Sequence, residues 1–568
     1  MTATVSSAPA VASVPRTSAS LESGVAGLSI ALLLLGLLVL VGLPLWALLS
    51  KSLYSDGVFV GLQNFVAYVT TPSLFRSVGN SLAVAALTTL IVVPIAFAYA
   101  YALTRSTMPA KGFFYSTALV PLFAPSLLPA IALIYFFGNQ GFLKSWMFGG
   151  TIYGPVGIVM AEVFYCFPHA LTILIAALRL ADARLYEAAD ALGASRSRIF
   201  FTVTLGGAKY GLISAVVVVF TLVITDFGIP KVIGGQFSVL ATDVYKQVMG
   251  QQNFEMGAVV GVILLIPAVV AFFVDRIAQR RQVALLSARA VPYQPKPRVW
   301  RDRAALAICT FVSFIFLAVL GMAVWASFVT YWPYNLALTL NHYVFENADS
   351  SGWQPFFNSL KVATYTALFG TMVIFFGAYL IEKIRPYRGL RILAQFVAML
   401  PMAVPGLVLG LGYIFFFNAP WNPLNILYGT IAILVLNCTA HFYTVPHITA
   451  TTALKQIDPE FEAVSASMKV PFWRTFSRVT VPISLPAILD IAVYLFVNAM
   501  TTVSAVIFLY STDTKLASIA SVSMDESGFT ASAAGMCVLI VGASMAAKLL
   551  QVVIDRVVLQ KFQAWRRR

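Results

Sequence analysis

Charge is what this chain has least of. Asp, Glu, Lys and Arg together make up 10% of its 568 residues, while hydrophobic residues make up 60%. A soluble domain carries about a quarter charged residues, so a fold with a water-exposed surface all round is excluded. Cysteine is sparse too: Cys166, Cys309, Cys438 and Cys537 are scattered through apolar segments with no paired spacing, which excludes a disulfide framework or a zinc finger. They read as small buried apolar residues. His169, His342, His441 and His447 are equally dispersed, and no Ser-His-Asp or metal-ligand constellation forms around them. The phosphate-binding pattern Gly-x-x-x-x-Gly-Lys-Ser/Thr does not occur. No enzyme, resident metal or cofactor is therefore expected, and any nucleotide hydrolysis must come from a partner.

What the chain does have is long apolar runs. A bilayer core of ~30 Å needs roughly 20 apolar residues in a helix, and such runs lie near 25–49, 79–104, 113–137, 151–178, 208–228, 257–274, 304–329, 358–382, 392–417, 427–452, 483–507 and 530–554. They predict an all-α integral membrane protein of about twelve transmembrane helices. Their continuity, without alternation, argues against an outer-membrane barrel. Residues 1–24 read as a disordered tail ahead of an uncleaved first helix, and 557–568 as a basic tail. The 37 Lys and Arg exceed the 22 Asp and Glu. Most fall in alternate connections and the two tails, which by the positive-inside rule places both termini in the cytoplasm. The lipid bilayer, rather than nucleic acid, accounts for this excess.

The segment 278–303, with Pro292, Pro295 and Pro297 among basic residues, reads as a cytoplasmic linker between halves 25–277 and 304–556. The halves repeat each other. Asn80-Ser81-Leu82 recurs as Asn358-Ser359-Leu360, Pro121 and Pro125 as Pro401 and Pro405, and Pro168-His169 as Pro446-His447. Two polar loops also align without a gap, Asp182 to Leu205 with Asp458 to Val481. Six spans per half bring both copies in from the same side, giving a parallel repeat about an axis along the membrane normal. A solute path is expected where the halves meet.

The two loops carry a pattern. The first reads Glu187-Ala188-Ala189, then Gly193, with Gly206 further on; the second reads Ala463-Val464-Ser465, then Lys469, with Pro482 further on and Glu462 one residue before Ala463. In this pattern the chain resembles the membrane-spanning permease subunits of ABC importers, of the fused two-permease type, whose signature is Glu-Ala-Ala, three residues, Gly, nine residues and Ile-x-Leu-Pro. The resemblance implies that residues 182–206 and 458–482 are coupling loops, each seated in a groove of an ATPase subunit. Two ATPase copies, a periplasmic substrate-binding protein and a location in the bacterial inner membrane follow from the same resemblance. Because the first loop keeps the Glu and the Gly, Glu187 is expected to matter more than Glu462. Within the importers, 462–474 and 498–506 resemble permeases assigned to 2-aminoethylphosphonate, making that small molecule the expected cargo, with ferric iron or another small anion or polyamine as the alternative. A secondary transporter would explain the hydropathy but not the loops.

A few polar groups inside the spans are candidates for the path. Glu162 lies mid-span, where an unpaired carboxylate is costly; it reads either as a lining residue or as a structural hydrogen-bond partner. Thr225 and Asp226 align with Thr501 and Thr502, preceded by Asn498. Hydroxyls at matching places could line a polar path, and they are equally suited to packing helices together.

Overall fold

The computed structural model describes residues 16–284, 291, 293–384 and 386–559. Eight of its helices are long and apolar enough to cross a membrane, and four bent pairs raise the number to 12. In the first half the spans are Glu22–Ser52, Pro72–Arg105, the pair Lys111–Phe123 and Leu127–Phe137, Pro155–Arg179, Arg196–Thr225 and Phe254–Arg281. In the second half they are Val299–Ala326, Gln354–Glu382, the pairs Arg388–Ala403 with Gly406–Phe417, Ile431–His441 with Thr444–Lys455, and Phe472–Ile483 with Leu485–Thr501, and finally Thr530–Val557. Each overlaps one predicted run, so hydropathy alone locates all twelve.

Proline stands at the two sharpest breaks in the spans. The third bends by 102° at Ala124-Pro125-Ser126 and the ninth by 113° at Val404-Pro405. Proline has no N–H to donate and pushes the residue before it out of the helical region. The two aligned polar loops lead into spans that differ for the same reason. Pro482 and Pro486 flank a 79° bend in the eleventh span. The fifth span has Gly206 where Pro482 stands, and it runs unbroken from Arg196 to Thr225.

The repeat is also a repeat of contacts. Asn80 donates its side-chain amide to the carbonyl of Ser238 at 2.9 Å, and Ser81 accepts the amide of Leu240 at 2.8 Å. In the second half Asn358 donates to the carbonyls of Asp513 and Lys515 at 2.8 and 3.1 Å, and Ser359 accepts the amide of Ala517 at 2.8 Å. A buried polar pair thus ties the second span of each half to the connection that follows its fifth. Each half also carries a small antiparallel hairpin after its first span, Tyr54–Ser55 with Val58–Phe59 and Val329–Tyr331 with Asn335–Leu338.

The halves interlock through their first spans. The first span packs on the eighth and ninth, and the seventh packs on the second, third and twelfth. Gly27 permits this, because a Cβ there would lie 2.7 Å from the Tyr387 ring at the entry to the ninth span. Both halves contribute to one buried core.

Three boundaries differ from expectation. The first helix begins by Arg16, inside the segment read as a disordered tail, while residues 1–15 lie outside the described residues. Helices reach Ala284 and restart at Val299, so regular structure takes both ends of the linker read as 278–303. Of the basic tail, a short helix Asp555–Leu559 is present and 560–568 lie outside the described residues.

Candidate functional site

The two aligned polar loops, 182–206 and 458–482, are built alike from local sequence. In the first, the Asp182 carboxylate accepts the amide of Arg184 at 3.1 Å, capping the helix Ala183–Ala191. Gly193 ends it at φ +67, with its own amide bonded to Asp190 and the amide of Ala194 bonded to Ala189. In the second, Asp458 accepts the amide of Glu460 at 2.9 Å ahead of the helix Glu460–Ser467. Lys469 ends it at φ +54, with its amide bonded to Ala466 and that of Val470 to Ser465. Lys469 therefore adopts the left-handed conformation that Gly193 takes without a Cβ, at a cost of ~1–2 kcal/mol.

Both helices present apolar surface to solvent. Leu192 and Met468 are 86% and 70% exposed, and Leu185, Val464 and Phe461 are exposed beside them. Glu187 and Ala188 are exposed, Ala189 is half-buried, and Glu187 makes no ion pair with another described residue. A groove of about 590 Å³ opens beside the second helix, between Phe461, Val464 and Met468 on one side and Arg474 and Arg478 on the other.

Glu462 is not a displaced copy of Glu187. Its carboxylate turns inward to Lys383, 2.9 Å away at the end of the eighth span, and Lys383 also donates to the carbonyl of Ile457. Glu462 sits where the first loop has Tyr186, so Ala463 is the true counterpart of Glu187. Arg105 ends the second span as Lys383 ends the eighth region, and its guanidinium lies 5.5 Å from the Tyr186 ring. One cation clamps each loop helix, through an aromatic face in one half and a carboxylate in the other. Sequence reasoning missed both cations. Their matching positions at the end of the second span of each half were the signal available.

Between the halves lies a cavity of about 330 Å³. The first half lines it with Ser126, Tyr165, His169, Thr221, Thr225 and Asp226; the second lines it with the bend 401–406, His441, Tyr494, Asn498, Thr501 and Thr502. Among the described residues its lining includes no Lys or Arg, and Asp226 is the only carboxylate in it. Asp226 accepts the amide of Ile229 at 2.8 Å, which ties the acid to the first turn of the helix Gly228–Ile233. Thr225 and Thr501 each donate to their own helix, to Thr221 at 2.8 Å and Val497 at 3.0 Å, and Asn498 donates to Tyr494 at 2.8 Å. The close fit of the bends shows a reciprocal exchange: Ser126 packs on Gly228 in the first half, and Gly406 packs on Ser504 in the second.

Five of the six predicted path residues are thus gathered around one cavity, and Glu162 is not among its lining. Glu162 is fully buried, accepts a long contact of 3.6 Å from the Cys166 thiol, and leaves its other oxygen without a partner among the described residues.

The sequence profile described as "Binding-protein-dependent transport system inner membrane component" matches residues 93–283. The ferric transport system permease protein FbpB of Actinobacillus pleuropneumoniae is 27% identical over 82% of this chain and 69% of its own length. The Fe(3+)-transport system permease protein FbpB 2 of Haemophilus influenzae is 23% identical over 85% of this chain and 90% of its own length. The molybdenum transport system permease protein ModB of Escherichia coli K12 is 33% identical over 28% of this chain and 72% of its own length.

Proposed function

This chain belongs to the family of binding-protein-dependent transport system inner membrane components, and on that premise we propose that it passes ferric iron into the cell. It is a multi-pass permease of an ABC importer, not itself an enzyme, and it works with a periplasmic binding protein and an ATPase. Two docking loops in one chain support an assembly with two ATPase copies, both reached from the cytoplasm along with the termini.

The observation that carries the cargo reading is the lining of the central cavity. A phosphonate crossing a dry interface needs guanidinium or ammonium donors, and this cavity offers none. It offers the Asp226 carboxylate, the His169 and His441 imidazoles, and the Tyr165 and Tyr494 phenols, the oxygen and nitrogen donors that suit a hard cation. Relatives spanning more than four-fifths of the chain carry ferric transport in their names. Ferric iron therefore takes precedence over the 2-aminoethylphosphonate that 462–474 and 498–506 suggested. No three His, Cys, Asp or Glu among the described residues converge into a metal-ligand group. Scattered donors suit a path, where binding must be weak enough to release.

In this reading ATP-driven closure of the ATPase pair draws the docking helices together, and the interlocked first spans carry that motion to the bends at Pro125 and Pro405. The test is ATP-dependent uptake into proteoliposomes holding the full complex and a loaded binding protein. Ferric iron is expected to enter and 2-aminoethylphosphonate to stay out, with Asp226→Asn slowing ferric uptake. Phosphonate entry without ferric entry overturns the cargo.

A further inference from the structure

We propose that Tyr293, in the connection between the halves, is a positioning residue that holds the first docking helix at its working angle. The proposal rests on reading 182–206 as an ATPase-docking loop. Val291 and Tyr293 of that connection lie against the base of that loop. Val291 accepts the amide of Ala183 at 2.9 Å, and its own amide reaches the Asp182 carboxylate at 3.3 Å. The Tyr293 ring then lies 4.5 Å from the Tyr186 ring.

Arg105 completes the contact. Its guanidinium lies 4.6 Å from the Tyr293 ring and 5.5 Å from that of Tyr186, and it also donates to the carbonyl of Leu178 at 2.6 Å. Arg105 is 3% exposed and Tyr186 is 9% exposed, so the cation is taken out of water and its aromatic contacts are correspondingly strong. The far end of the connection is fixed as well. Asp302 accepts the amide and hydroxyl of Thr107 at 3.0 and 2.6 Å, and the amide of Arg298 at 2.9 Å. The strap is anchored on the first half at both ends, with Tyr293 between the anchors.

Among the described residues the second half has no such strap. There Lys383 reaches Glu462 of the docking helix directly, and the next helix is capped from the other half, by Glu22 accepting the amide of Phe472 at 2.9 Å. Each docking loop is thus held by one clamp from its own half and one contact from the segment that leads into a first span. In the first half these two are fused in the Arg105–Tyr293 pair. Loosening Tyr293 should leave the ATPase attached, because the exposed docking face is untouched, but let the first helix tilt under load and waste ATP.

The experiment uses the full complex in proteoliposomes and compares Tyr293→Ala, Tyr293→Leu and Tyr293→Phe, measuring ATP hydrolysis and cargo uptake on the same vesicles. Tyr293→Ala is expected to lower cargo moved per ATP by about fivefold, the factor carried by one cation–aromatic contact to a half-buried ring. Tyr293→Phe keeps the ring and should restore the wild-type ratio. Should Tyr293→Ala fail to assemble, Tyr293→Leu, which keeps apolar contact but lacks the ring, carries the same expectation. A wild-type ratio in Ala and Leu, or equal loss in Phe and Ala, overturns the proposal. Glu187→Lys in parallel separates the two readings: if it leaves the ATPase bound, the docking loop itself is misread, and if it releases the ATPase while Tyr293→Ala couples normally, only the strap fails.

Discussion

Gly193 and Lys469 end two equivalent helices in the same left-handed conformation, and only one of them is glycine. Gly193→Ala isolates the backbone cost, because a Cβ there meets nothing within 4 Å. Forcing an L residue into this conformation costs ~1–2 kcal/mol, and the stiffer open chain returns ~0.4–1 kcal/mol. The net is close to 1 kcal/mol, or about fivefold in the local opening equilibrium. The amide to watch is that of Ala194, which bonds the carbonyl of Ala189 only while the cap is formed. Hydrogen exchange in the assembled complex should show Ala194 exchanging about fivefold faster in Gly193→Ala. Lys469→Gly runs the arithmetic in reverse, and the Val470 amide, bonded to Ser465, should exchange about fivefold more slowly. Unchanged exchange at Ala194, or faster exchange at Val470, would refute the account of how these helices end.

Glu462→Lys should lower expression and thermal stability before it affects docking, since it sets an ammonium against Lys383 where a 2.9 Å pair stood, a loss of about 2 kcal/mol. Glu187→Lys should leave stability intact and reduce ATPase co-purification; equal stability of the two variants would contradict the inward placement of Glu462. On the connection beyond the eleventh span, Lys515 bonds the nearly buried Asp349. Burial alone would raise that acid, but the Lys515 bond and the Ser351 amide outweigh it and hold it below its usual range. A lowered folded value means that the pair is fully formed above the ordinary carboxylate range and is lost only as pH falls below about 4. Asp349→Asn should therefore cost the same in thermal unfolding at pH 7 and pH 5.5, and a deficit that shrinks between them would count against the pair. Single cysteines at Thr225, Asp226 and Thr501 should react with a small charged thiol reagent at rates that change with ATP, over the low background of four buried native cysteines. Uniform protection would assign these positions to helix packing.

The sequence alone determined the class of molecule, the places of the twelve spans, the two-fold repeat and where the two aligned polar loops lie. Each rests on a local rule: a long apolar run crosses a bilayer, Pro405 breaks a helix, and Asp182 and Gly193 start and stop one. The tertiary structure decided that Glu462 turns to Lys383, that Asp226 meets the cavity while Glu162 does not, that the first and seventh spans cross to the opposite half, and that Tyr293 lies on the docking helix. The reason is physical. A helix in water shows which face is buried through its pattern of apolar residues, but lipid tails are as apolar as a protein core, so a span's sequence carries little record of which face meets which neighbour. Asp226 and Glu162 look alike along the chain, and only the packing of helices from two halves separates the one at the cavity from the one sealed behind it.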